Sequence, residues 1–254
     1  MKVPMRGVAM LAATLLSTTG CVIGDIALDE HETVVETRAL EPDGYFRLEN
    51  TNGRIEVDTW KEPRVRIEAE KAAATRSGLE DIRVEISGEG ERVEVDTRMP
   101  KHHWFMGRAG KVDYRITVPE TARVELESVN GRVDVRGVNG SVHAGTVNGR
   151  VQIEDAGGEV RAETVNGSVD AEIRAVDSGA DCSLSTTNGS ITVRLPKDVS
   201  GRFHASTVNG GIHTDFPLDV SGGWGGKQLE GRIGEGGAHF EMETVNGSVS
   251  LREL

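Results

Sequence analysis

Aromatic side chains are nearly missing from this 254-residue chain, which has three Trp, two Tyr and five Phe. A globular enzyme core of this size normally carries more large side chains. The shortage points to a narrow core filled by Val, Ile, Ala and Leu. Cysteine is scarcer still, with only Cys21 and Cys182. If Cys21 is modified, no internal disulfide can form. Basic residues are outnumbered, 29 against 41 acidic ones, for a formal charge of −12. That deficit argues against nucleic acid as a partner and against charge-driven binding to anionic lipid. The N-terminal apolar run, Val8–Leu16, is too short to cross a bilayer as a helix.

Glycine, with 32 copies, is what the chain has in abundance. Asn-Gly occurs eight times, at Asn52-Gly53, Asn130-Gly131, Asn139-Gly140, Asn148-Gly149, Asn166-Gly167, Asn188-Gly189, Asn209-Gly210 and Asn246-Gly247. Three successive copies are nine residues apart, and the next steps of nine land on Gly157-Gly158 and Asn166-Gly167. A turn residue at fixed period marks a repeat architecture. Counting Asn as zero, positions +3 and +5 are apolar or small, as in Val133/Val135, Val151/Ile153, Val169/Ala171 and Ile191/Val193. Position +4 is polar throughout, from Asp134 and Gln152 to Asp170 and Thr192. Such alternation is a half-buried strand.

Asn-Gly between strands first suggests type I′ hairpins and an antiparallel meander. In a meander, Val at −1 (Val129, Val138, Val147, Val165, Val208, Val245) would face water, forgoing roughly 1.5–3 kcal/mol of burial each. A corner with Asn or Gly in the left-handed region would bend the chain and turn both flanking valines inward. The expected fold is therefore all-β, a parallel β-solenoid with two nine-residue sides per coil. Corner asparagines would stack into amide ladders. Ser178-Gly179, Ser200-Gly201 and Ser221-Gly222 read as degenerate corners between them.

Residues 33–126 read as a less regular β region that caps the solenoid of residues 127–254, with a short helix expected within Glu70–Asp81. Pro63, Pro100 and Pro119 mark turns or strand ends there. Asn52-Gly53 is a repeat phrase inside this half, so the cap reads as a degenerate extension of the same coil. Asp215–Gly237 reads as a Gly-rich insertion containing Trp224.

The N-terminus carries Lys2 and Arg6, then the apolar run, then Leu16-Ser17-Thr18-Thr19-Gly20-Cys21. This resembles a bacterial lipobox, with Thr18 departing from the usual Leu. The resemblance implies a signal peptide over residues 1–20, palmitate-type acylation of Cys21, a membrane anchor and a polar tether over residues 21–32. Val22 after the Cys, rather than Asp, implies the outer membrane in a diderm source. The Phe46–Gly53 entry and the Thr-Val-Asn-Gly-x-Val phrases resemble the bacterial putative-adhesin family, a β-strand-repeat domain of unknown function. That resemblance implies no enzymatic role and supplies no catalytic residues.

Any catalytic chemistry would sit in the outward columns. One holds Asp134, Gln152, Asp170, Thr192 and His213, and the other His143 and Arg161. Neither places acids at neighbouring heights, as a polysaccharide lyase or hydrolase on a β-helix would need. The calcium-binding nonapeptide roll shares the period of nine but requires an Asp that these corners lack. No metal and no cofactor is expected. Cys182 reads as a small buried hydrophobe rather than a nucleophile. The stretch His102, His103, Trp104 and Phe105, with Trp224, has two readings, a contact loop for a partner or aromatics packed on the cap. The expected function is a lipid-anchored, non-enzymatic envelope protein that presents a β-solenoid surface for binding, adhesion or scaffolding, its partner an unknown envelope or surface protein or glycan. A polysaccharide-active enzyme is the alternative, and end-to-end self-assembly is a third candidate.

Overall fold

A computed structural model describes residues 28–99, 110–176, 179–218, 220–223, 226–235 and 237–254. Cys21, His102, His103, Trp104, Phe105 and Trp224 lie outside the described residues. The described chain is all-β, apart from one short helix, and mostly parallel.

The N-terminal half contains β1 (Glu30–Asn52), β2 (Ile55–Trp60), β3 (Arg64–Ala73), α1 (Arg76–Asp81), β4 (Arg83–Arg98) and β5 (Lys111–Pro119). The helix falls where Thr75 caps it, accepting a hydrogen bond from the Gly78 amide. Then come β6 (Arg123–Asn130), β7 (Val133–Arg136), β8 (Val142–Asn148), β9 (Val151–Ala156), β10 (Val160–Asn166) and β11 (Val169–Ile173). The chain continues with β12 (Asp181–Asn188), β13 (Ile191–Leu195), β14 (Gly201–Asn209), β15 (Ile212–Thr214), β16 (Val220–Gly223), β17 (Gly226–Ile233), β18 (Ala238–Asn246) and β19 (Val249–Glu253).

Strands pair in two rows that enclose the core. One row runs β1–β3–β5–β2–β7–β9–β11–β13–β19–β15. The other runs β4–β1–β6–β8–β10–β12–β18–β14–β17–β16. β1 serves both, antiparallel to β3 with its first half and parallel to β4 and β6 with its second. The Asn52 phrase pairs directly with Asn130, and β6 runs continuously across residues 126–127. Between the rows lie the +3 and +5 residues, buried from Val133 and Val135 to Val249 and Leu251 apart from the half-buried Thr214.

The phase of Val at −1 is a correction. Val129, Val147, Val165, Val208 and Val245 are 39–52% exposed, and only Val138 is buried. The residue that turns inward is the one before, Thr146, Thr164, Thr186, Thr207 or Thr244. Each Thr hydroxyl donates to the Gly carbonyl of the adjoining coil, as Thr164 does to Gly149 at 3.0 Å and Thr207 to Gly247 at 2.8 Å. These bonds hold the corner and leave the valines exposed beside it.

The corner conformation is a second correction. Of the Asn-Gly glycines only Gly53 has a positive φ, and no Asn does. Glycine is required there for space. A Cβ on Gly149 would lie 1.9 Å from the Gly131 carbonyl oxygen, and one on Gly210 would lie 1.7 Å from that of Gly247. The amide ladder does form. Asn130, Asn148, Asn166, Asn188, Asn246 and Asn209 each donate to the preceding Asn side chain at 2.8–3.0 Å, starting from Asn52.

Coil order departs from chain order at two places, and at the first the β1–β2 coil sits between β4/β5 and β6/β7. At the second, β18 and β19 insert between the β12–β13 coil and the β14–β15 coil. Every phrase offers the same backbone bonds, so side chains inside decide the neighbours. Phe240 and Phe203 occupy adjacent rungs of one core column and stack at 4.7 Å with 3° between rings. The Gly-rich insertion forms the β16–β17 hairpin against β14. Ser221-Gly222 therefore lies in a strand and is not a corner.

Candidate functional site

Asn-Gly corners consume their polar groups internally, so the faces of the two rows carry whatever the molecule presents. On the row containing β7, β9 and β11, the outward side chains pair with one another. Arg132 Nε donates to Asp134 at 2.6 Å and its other arm to Gln152 at 2.7 Å. Arg136 reaches Glu154 at 2.8 Å, and Arg150 lies 3.3 Å from Asp170. Asp134 and Asp170 sit two rungs apart, with Gln152 between them. Each is held by its own arginine, so they form no acid pair. Arg136 in turn holds the Glu154 carboxyl below the usual carboxylate range.

The opposite row is less fully paired. Its outward columns align Glu125, His143, Arg161 and Ser183, then Glu127, Gly145, Glu163 and Ser185. The exposed valine column follows beside the corner. At the first rung Tyr45 donates to Glu125 at 2.5 Å and Arg47 Nε donates to it at 3.3 Å. The Tyr45 hydrogen bond is the main reason the Glu125 carboxyl lies below its ordinary range. Burial, then Glu125, pushes the Tyr45 phenol up to about 12. The Arg92 guanidinium lies 4.5 Å over the Tyr45 ring.

A shallow groove of about 500 Å³ lies on this face. Glu127, His143, Gly145, Arg161, Glu163 and Ser185 border it on one side, and Val147, Val165 and Thr187 on the other. Arg161 bridges to Glu163 at 2.5 Å. A second cavity of about 380 Å³ lies at the opposite corner, between Arg174–Val176 and Pro196–Ser200.

Cys182 is buried and free, and burial raises its thiol to about 11, so it is no thiolate at neutral pH. Among the described residues there is no group of three or more His, Cys, Asp or Glu arranged to hold a metal. Among them, too, no helix is long and apolar enough to cross a membrane. Sequence reading placed His143 and Arg161 together on the outer face but missed the groove beside them. Its only signal was Gly145, standing where the next coil has Glu163.

Two rows of mostly parallel strands, bound at one corner by amide and hydroxyl ladders, define an all-β repeat protein. Residues 107–252 match the family model described as Toastrack DUF4097, and the chain belongs to that family. Among solved structures it is similar to a putative cell adhesion protein from Clostridium sporogenes ATCC 15579. That likeness has 14% identity and a TM-score of 0.54, and covers 87% of this chain and all of that one. It is also similar to a putative adhesin from Bacteroides fragilis NCTC 9343, with 13% identity, a TM-score of 0.32, and 86% and 96% of the two chains covered. No curated protein matches.

Proposed function

We propose that this protein is a lipid-anchored, non-enzymatic β-solenoid of the cell envelope that presents its outer faces to a surface component. The observation that carries this reading is the continuous outward columns, which run over seven Asn-Gly rungs. At a strand spacing of about 4.8 Å, the six steps span about 29 Å. A ruled surface of that length suits recognition of an extended or repeating partner. The adhesin names of the similar solved proteins support a binding role, and the lipobox resemblance at Cys21 supports the anchor. The arginines bound to Asp134 and Asp170 weigh against a general acid–base pair and therefore against the polysaccharide-active alternative.

Replacing Cys21 by Ser tests the anchor. The wild type is expected to take up labelled palmitate and sediment with membranes, and Cys21→Ser to do neither. A variant that still sediments, beside a wild type that takes up no label, rejects the anchor. Retention of the soluble Cys21→Ser protein on isolated envelope tests the binding role, and absence of retention rejects it.

A further inference from the structure

The groove over Gly145 is a feature of the outer face that the architecture does not need. The Asn-Gly glycines are forced by the next coil's backbone. Gly145 is not, because a Cβ built there would meet nothing within 4 Å, and its φ is ordinary. Glycine inside a strand costs about 0.5–1 kcal/mol relative to alanine. The same column carries Glu127, Glu163, Ser185, Glu243 and Ser206 at its other rungs. Gly145 therefore leaves a gap between two carboxylates that stand about 10 Å apart at strand spacing.

We infer that this gap is a saccharide-binding site, taking one or two hydroxyl-rich rings of a glycan. The inference rests on the envelope-binding reading above and names the partner's chemistry. Four observations converge on it. The groove, about 500 Å³, lies within the roughly 300–1,000 Å³ range of small-ligand clefts. Its two sides differ, with acceptors and donors from Glu127, Glu163, His143 and Arg161 facing the C–H surface of Val147 and Val165. A sugar ring has the same division between hydroxyl edge and apolar face. The charges are nearly balanced, because Arg161 neutralises Glu163. The remaining carboxylate, Glu127, disfavours phosphate and other anions. Finally, β8 is hydrogen-bonded on both sides, to β6 and β10. No backbone edge is open for an added peptide strand, so recognition must run through side chains.

The test uses the full mature chain carrying Cys21→Ser, with maltose, cellobiose and N,N′-diacetylchitobiose as probes followed by NMR. At least one disaccharide is expected to shift the His143 imidazole and the Val147 and Val165 methyl resonances. Gly145→Leu, whose Cβ meets nothing within 4 Å, fills the gap and should weaken that binding about tenfold or more. Ser206→Leu, in the same column outside the groove, should leave it unchanged. Binding of none of the three probes, or binding undiminished by Gly145→Leu, overturns the site. Retention on isolated envelope separates the two readings. Equal retention of the Cys21→Ser chain with and without Gly145→Leu removes the groove from envelope binding but keeps that binding. Disaccharide binding lost in Gly145→Leu, with no retention of either protein, keeps the groove and removes the envelope role.

Discussion

The two corners of each coil are built on different terms. At the Asn-Gly corner, a Thr hydroxyl, an Asn amide ladder and a Gly with no room for a Cβ recur rung after rung. At the opposite corner the chain passes through Asn139-Gly140, then Gly157-Gly158, then the Pro196–Ser200 turn, and later a whole hairpin. Contacts there include backbone bonds such as Gly157 to the Val138 carbonyl at 3.0 Å, and Arg174 reaching the Asn139 side chain at 3.2 Å. The long excursion through β3, α1 and β4, and the β16–β17 insertion, both leave after a strand of the β7–β9–β11 row. A corner whose Thr hydroxyls and Asn amides bond to the coils beside it, rung after rung, cannot accept extra residues without breaking its neighbours. The opposite corner, whose sequence and length change from coil to coil, can.

The largest effect is expected from a charge in the core that both corners enclose. Val151→Asp should destabilise by several kcal/mol, because the carboxylate has no partner there. Gln152→Asp, one residue on and facing out, should change the thermal midpoint little. Equal midpoints for the two would break the assignment of inside and outside. Next, Gly167→Ala places a methyl 1.8 Å from the Gly149 carbonyl oxygen and should cost about 3 kcal/mol through forced separation of coils. A Gly-Ser insertion after the exposed Asp198 should cost only a few tenths of a kcal/mol, since lengthening a loop adds little closure entropy. Urea melts of both variants check whether the corners really differ.

The smallest effect sharpens the comparison within the ladder itself. Thr164→Ala removes a buried donor to the Gly149 carbonyl and should cost about 1 kcal/mol. Ser128, at the equivalent rung, is buried with no hydrogen-bond partner for its Oγ among the described residues. Ser128→Ala should therefore be neutral or slightly stabilising by the same measure. Equal losses at both positions would show that the hydroxyl bond is not what holds this corner.

Legibility followed the repeat. The strand faces of residues 133–195 were readable because period-two alternation states which side is apolar, and the asparagine ladder followed from a fixed spacing. The valine phase is not legible in the sequence, because burial of an apolar residue, taken alone, points the valines inward. Position −2 gives no signal, because threonine is neutral in a pattern of apolar and polar letters. Yet the Thr hydroxyl, once buried, needs an acceptor, and the adjoining Gly carbonyl is within reach. The groove was hidden because an empty space is defined by neighbours 18 residues away on either side, not by Gly145 itself.

From the sequence by itself came the all-β class, the family likeness, the inward +3 and +5 residues and the sites of the corners, because each is written in local spacing. Tertiary structure alone decided that β18–β19 slides between β12–β13 and β14–β15, that the valines line an exposed edge, and that His143, Arg161, Glu127 and Glu163 surround one gap. Those outcomes depend on which coil lies beside which. Identical backbone ladders and corner glycines leave that choice to inward side chains such as Phe203 packed on Phe240.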